Sequence, residues 1–101
     1  MVKSQTAVIG VLTLFLQLPE CTSLKEKRSR IKPILSRLHR EFNVATAEID
    51  RLDMRHEAVI ACAAISNDQQ HIQRLIQKVV QFTESHWPDC IILDQNLEII
   101  H

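Results

Sequence analysis

Hydrophobic residues recur at two different periods along the chain, and the period identifies each helix and strand. Residues 6–18 alternate at period two, with leucines on one side of the extended chain, and predict a long strand that ends at Pro19. Residues 44–51 alternate in the same way but are more polar, which is typical of an edge strand. Two further apolar stretches, 57–65 and 90–99, predict a central strand and a last strand.

Two amphipathic segments predict helices between these strands. In the first segment, Ser23 and Glu26 have the spacing of a capping box, so we expect the helix to begin there. Pro33 lies further along this segment and predicts a kink or a later helix start. The second segment is expected to begin with a similar box formed by Ser66 and Gln69.

The predicted order is strand, helix, strand, strand, helix, strand, with the helices ending near Phe42 and before Trp87. This βαββαβ order is typical of the ferredoxin-like α+β sandwich, in which a four-stranded antiparallel sheet carries two helices on one face. The two most apolar strands, the first and the third, are the ones that this topology places in the middle. Since the chain has 101 residues and no Gly- or Pro-rich linker, we expect residues 1–101 to form a single domain.

One face of the predicted sheet carries no helix. If the leucines of the first strand face the helices, then Ile9, Val11 and Phe15 point to the other side. An apolar sheet face without a covering layer is often a contact surface for a second copy of the chain. We therefore expect a homodimer or a larger oligomer that uses these three residues. The alternative is a few apolar side chains that remain in water.

Charge is unevenly distributed, although the formal net charge is zero. Residues 23–40 hold seven of the twelve basic residues and only one of the twelve acidic ones. Such a cluster on a helix can neutralise the phosphates of RNA, or it can simply be solvated or face an acidic protein. The chain has no Tyr, and its third strand lacks the aromatic residues on which RNA-binding sheets stack bases. The residues predicted to contact nucleic acid are Lys25, Lys27, Arg28, Arg30 and Lys32.

No motif for catalysis or metal binding stands out. With one glycine, the chain cannot form the glycine-rich loops of nucleotide-binding enzymes, and its five histidines lack zinc-site spacing. The segment Asp50–Glu57 gathers carboxylates and a histidine, but such residues also solvate hairpin connections. We therefore predict a protein that is not an enzyme, with no catalytic residue, no metal, no cofactor and no small-molecule substrate.

The cysteines and the first apolar run suggest a compartment. The three cysteines are an odd number without a close pair, which favours a reducing cytoplasm over a disulfide framework. Cys21 precedes a predicted helix beside the basic cluster, and we interpret it as a surface thiol. The apolar run Ala7–Leu18 is too short to span a bilayer and precedes no signal-cleavage site, so we expect no membrane association.

The block Ser23–Arg28, Ser-Leu-Lys-Glu-Lys-Arg, follows a strand that ends in Leu18-Pro19. This combination resembles the YlxP-like family of small bacterial proteins of unknown function. The similarity extends over nearly the whole chain, through residues 40–44, 47–50, Asp53, 66–68 and 78–82.

The resemblance implies a ferredoxin-like fold and no established activity, substrate or catalytic residue. Genes of this family tend to lie beside genes for translation and ribosome-maturation factors, an association that favours RNA or the ribosome as a partner. We therefore predict a binding module that contacts RNA or the ribosome through its basic first helix. The alternative is a homo-oligomeric interaction domain that uses the helix-free sheet face.

Overall fold

The computed structural model describes residues 7–101 and confirms the predicted order of elements. The four strands form one antiparallel sheet in the order β2-β3-β1-β4, which is the ferredoxin-like arrangement. Thr6, the first residue of the predicted first strand, lies outside the described residues. The elements are β1 (Val8–Gln17), α1 (Leu24–Phe42), β2 (Ala45–Asp50), β3 (Glu57–Ser66), α2 (Gln69–His86) and β4 (Ile91–Ile100).

The start of α1 follows the capping pattern of the sequence. The Ser23 hydroxyl accepts a hydrogen bond from the N–H of Glu26, with 3.0 Å between oxygen and nitrogen. In a standard capping box the carboxylate of Glu26 would accept a hydrogen bond from the N–H of Ser23. Here it accepts hydrogen bonds from the N–H and the hydroxyl of Thr22, one residue earlier in the chain. The bond from the Thr22 N–H is the main cause that lowers the pKa of Glu26.

Pro33 lies inside α1 without ending it. The helix is continuous from Leu24 to Phe42, so the predicted later start is wrong. Pro33 has no N–H to donate to the carbonyl of Ser29, one turn earlier. Both residues are exposed, and water can therefore satisfy that carbonyl. The helix ends at Phe42 and is capped by Asn43, whose φ of 52° places it in the left-handed region that commonly closes helices.

The start of α2 differs from the prediction. Its N-cap is Asp68, whose carboxylate accepts a hydrogen bond from the N–H of Gln70. The Ser66 hydroxyl instead accepts a hydrogen bond from the N–H of Asp68, so the predicted box of Ser66 with Gln69 is wrong. Serine and aspartate are both good N-caps, and their order in the sequence does not show which one will cap the helix. Neither α1 nor α2 is long and apolar enough to cross a membrane.

The core lies between the sheet and the two helices. Leucines on one side of β1 are fully buried, as expected if they face the helices. α1 and α2 each contribute an apolar stripe, and β3 contributes small and β-branched residues. The main members are Leu12, Leu14, Leu16, Ile31, Ile34, Leu38, Ile60, Cys62, Ile72, Ile76 and Val79.

The other side of the sheet, which we call the open face, carries the residues predicted for self-association. Ile9, Val11 and Phe15 are half-buried there. Ile9 lies directly between Ile65 of β3 and Ile100 of β4 in the strand register. Ile65 is 71% exposed, so this end of the open face presents a short apolar row to solvent.

Candidate nucleic-acid interface on α1

Three members of the predicted basic cluster remain available on the surface. Lys25, Arg28 and Lys32 are all exposed. Their spacing along α1 places them on the same side of the helix, and we call them the basic stripe. Within residues 7–101 none of the three forms an ion pair with a carboxylate. The basic stripe is therefore free to meet phosphate groups.

Lys27 is buried, and its prediction as a phosphate contact is wrong. Its side chain is 2% exposed. The ammonium nitrogen lies 2.8 Å from Oε2 of Glu48 on β2 and donates a hydrogen bond of 2.6 Å to the carbonyl oxygen of Arg51. Position 27 lies on the side of α1 that carries Ile31 and Ile34, and this side faces the core. Lys27 therefore fixes α1 to the end of β2.

Arg30 contacts two loops, so it is also removed from the residues predicted to contact nucleic acid. Its guanidinium donates hydrogen bonds of 3.1 Å to the carbonyl oxygens of Pro19 and Asp89. It also pairs with the Asp89 carboxylate at 3.2 Å and lies 3.8 Å from Sγ of Cys90. These contacts join the loop before α1 to the loop between α2 and β4. Of the five residues predicted to contact nucleic acid, the three of the basic stripe therefore remain.

An apolar groove of about 430 Å³ runs beside the basic stripe, between α1 and the end of β2. Its apolar lining comes from α1 and from the exposed Leu52, which follows β2, whereas β2 itself contributes the carboxylate of Glu48. Two residues of the basic stripe form its rim, so an apolar group attached to an anion would fit it. The lining residues are Lys27, Arg28, Ile31, Lys32, Leu35, Glu48 and Leu52.

The acidic segment Asp50–Glu57 includes the connection between β2 and β3, and two of its carboxylates contact Arg51. Arg51 has a φ of 56°, and its N–H donates a hydrogen bond to the carboxylate of Asp50. The guanidinium of Arg51 pairs with Glu57 at 3.1 Å and lies over the ring of Phe15. Among residues 7–101, no group of three or more His, Cys, Asp or Glu residues is arranged to hold a metal ion.

The three cysteines are all buried and unpaired. Cys21 is among them, and its thiol donates a hydrogen bond to the carbonyl oxygen of Ser23. The interpretation of Cys21 as a surface thiol is therefore wrong. Burial raises the pKa of Cys62 to about 11 and also raises the pKa of Cys90. Cys62 is thus held as an unreactive thiol at neutral pH.

Comparison with known proteins places the chain in a family. The model of the family described as "Protein of unknown function (DUF503)" matches residues 9–96. The chain belongs to the DUF503 family. It is also 36% identical to "Uncharacterized protein YlxP" of Bacillus subtilis (strain 168) over 63 residues, which cover 62% of this chain and 68% of that protein. These matches confirm the resemblance based on the Ser23–Arg28 block.

A solved structure of similar shape supports the fold assignment for this DUF503 chain. The de novo designed protein Foldit4 matches with a TM-score of 0.55 and 18% sequence identity. The match covers 95% of this chain and 98% of Foldit4. At this identity the similarity shows the fold alone.

Proposed function

We propose that this DUF503 protein is a non-enzymatic binding module that contacts RNA or the ribosome through the basic stripe. The observation that carries the proposal is the exposure of Lys25, Arg28 and Lys32 on one side of a long helix, free of partner carboxylates within residues 7–101. Each basic side chain that meets a phosphate releases bound counterions, so binding would weaken as salt rises.

The distribution of charge on the two sides of the sheet supports the choice of α1. Four carboxylates border the open face, since their partners in the strand register are residues of that face. Arg51 compensates one of them. Phosphate would be repelled by this border and attracted to the helix side. The four acidic residues are Asp50, Glu57, Asp94 and Glu98.

The contacts of the acidic segment support the non-enzymatic part of the proposal. Arg51 engages Asp50 through its N–H and Glu57 through its guanidinium. Carboxylates used in this way shape a turn and a strand start, as expected for a hairpin connection. The basic stripe and the adjacent groove then remain as the main binding features of this surface.

The test is co-sedimentation of the protein with ribosomes and with separate subunits over a series of salt concentrations. We expect binding at low salt that falls steeply as salt rises. Exchanging both Arg28 and Lys32 for glutamate should reduce the slope of log affinity against log salt by about 2, because each phosphate contact contributes about 1 to that slope.

The matched control exchanges Arg74 and Lys78 for glutamate. Both residues are exposed on α2, and the change in net charge is the same. We expect this variant to keep most of its affinity. Equal losses of ribosome affinity in both variants would contradict a contact by α1. The same conclusion would follow if the change at Arg28 and Lys32 left ribosome binding unaltered.

Self-association through the open face is the second candidate function. The exposed row formed by Ile9, Ile65 and Ile100 favours it, because a second copy would remove this apolar surface from water. If the open face joins the copies, then Ile9→Lys together with Phe15→Lys gives a monomer in light scattering. An oligomer of unchanged mass in this variant would exclude the open face as the contact.

A further inference from the structure

The two edges of the sheet are protected to different degrees against pairing with another strand. β2 has six residues, and its pairing with β3 is irregular between Glu48 and Asp50. β4 has ten residues, pairs only with β1 within residues 7–101, and exposes Ile91, Leu93 and Ile100. Edge strands usually resist pairing by being short or irregular, or by carrying lysine or proline. β2 has the first two features, whereas residues 94–100 of β4 pair regularly with β1 and include neither lysine nor proline.

On the helix side of the sheet, the surface beside β4 is also poor in charge. A groove of about 450 Å³ lies between α2 and β4, and Glu84 is the one charged residue among those that line it. The groove beside β2, at the other edge, holds an ion pair and the basic rim. Depletion of charge is typical of the centres of protein interfaces. The lining residues are Ile76, Gln77, Val80, Gln81, Glu84 and Gln95.

The sequence of β4 is compatible with pairing to itself. A bulge opposite Phe15 and Leu16 interrupts the strand at Leu93, so its regular part is residues 94–100. The midpoint of this part is Leu97. Full-length antiparallel pairing of residues 94–100 with a second copy therefore places Leu97 opposite Leu97 of that copy.

This register also separates the acidic side chains of the two copies. Asp94 lies opposite Ile100 of the second copy, and Asn96 lies opposite Glu98. If the midpoint moved to Asn96, Asp94 would lie opposite Glu98, and like charges that face each other destabilise a strand pair. The register centred on Leu97 thus combines the longest regular pairing with no opposed carboxylates.

We propose that two copies of the chain pair β4 with β4 about a twofold axis at Leu97, forming a continuous eight-stranded sheet. The proposal rests on the second candidate function, self-association, but it places the contact at the sheet edge instead of the open face. The twofold axis is perpendicular to the sheet, so the helices of both copies lie on the same side. Both basic stripes would then be on one side of the dimer.

The experiment compares two substitutions of Asn96 by sedimentation equilibrium over a range of protein concentrations. Asn96 is exposed, so both variants should fold. Asn96→Asp sets a second carboxylate opposite Glu98 of the other copy, and we expect the dimer Kd to rise. Asn96→Lys sets a cation there, and we expect the Kd to fall. The two symmetric pairs predict changes of about two- to thirty-fold in each direction.

The direction of the lysine effect distinguishes this register from a general effect on the edge. Lysine on an edge strand ordinarily opposes pairing, so tighter association of Asn96→Lys needs an acidic partner across the contact. A wild-type protein that remains at the 11.7 kDa of one chain at all concentrations would overturn both self-association and the edge pairing. If Ile9→Lys with Phe15→Lys dissociates the dimer while both Asn96 variants keep the wild-type Kd, the open face is the contact and the edge pairing is wrong.

Discussion

Replacing Lys27 with methionine should lower the free energy of unfolding by about 3–5 kcal/mol. The change keeps most of the side-chain volume but removes the ammonium group that lies 2.8 Å from Glu48 Oε2. That oxygen is buried and accepts no well-aligned hydrogen bond from residues 7–101, so the charge of Lys27 is its main compensation. The carbonyl oxygen of Arg51 also loses the hydrogen bond from Lys27 and keeps only the one from the N–H of Met54. Urea denaturation followed by circular dichroism measures the loss.

Two further variants separate the ion pair from a general effect of removing a lysine. Lys32→Met on the exposed side of α1 should change stability by no more than about 0.5 kcal/mol. The double variant Lys27→Met, Glu48→Leu should recover much of the loss, because it leaves no uncompensated charge. If Lys27→Met alone were as stable as Lys32→Met, the pair would contribute nothing to the attachment of α1 to β2.

The sequence predicted the fold because the local signals agree with the tertiary structure. The period-two leucines of β1 are the residues that the helices cover, and the apolar stretch of β3 lies in the middle of the sheet. The cap at Ser23 also formed as expected, since its partner is three residues away. Short-range patterns of this kind depend on few distant contacts, and they can therefore be recognised in one sequence.

The candidate site was predicted only in part because two of its residues depend on distant partners. Arg30 contacts Pro19 and Asp89, and residue 89 is 59 positions away along the chain. The sequence predicts Lys27 on the surface with the other basic residues of α1, and lysine is almost never fully buried without a partner. One signal was available for it, since Lys27, Ile31, Ile34 and Leu38 follow a single helical stripe. The bulge at Leu93, which sets the register of β4, has no sequence signature of its own.

If α1 contacts RNA as proposed, Lys27 and Arg30 would support that contact without touching the RNA. They lie on either side of Arg28 in the sequence and hold α1 against β2 on one side and against the loop at Asp89 on the other. The helix turns that carry Lys25 and Arg28 are therefore fixed in orientation. A basic surface on a fixed helix requires less ordering when it meets phosphates than one on a mobile segment.

Gly10→Ala should destabilise the protein by about 3 kcal/mol, near the upper end of the range for overpacking a core. Gly10 is buried on β1, and a Cβ atom there would lie 2.3 Å from Cγ2 of Ile72 on α2. Cγ2 belongs to a β-branched side chain whose rotamer is restricted in a helix, so it cannot easily move away. The methyl group would force α2 away from β1. Thermal and urea unfolding measure this loss, and Ala47→Val on the exposed part of β2 provides a control with added methyl groups and no comparable obstruction.

The combination of Gly10→Ala with Ile72→Ala tests whether this one contact is the cause. Ile72→Ala alone should cost about 2–5 kcal/mol because it leaves a cavity in the core. In the double variant the obstructing Cγ2 is absent, and the methyl group added at position 10 occupies part of that cavity. We therefore expect the double variant to be more stable than the sum of the single losses predicts, by about 1 kcal/mol or more. Strictly additive losses of stability would mean that the contact between Gly10 and Ile72 does not determine the spacing between β1 and α2.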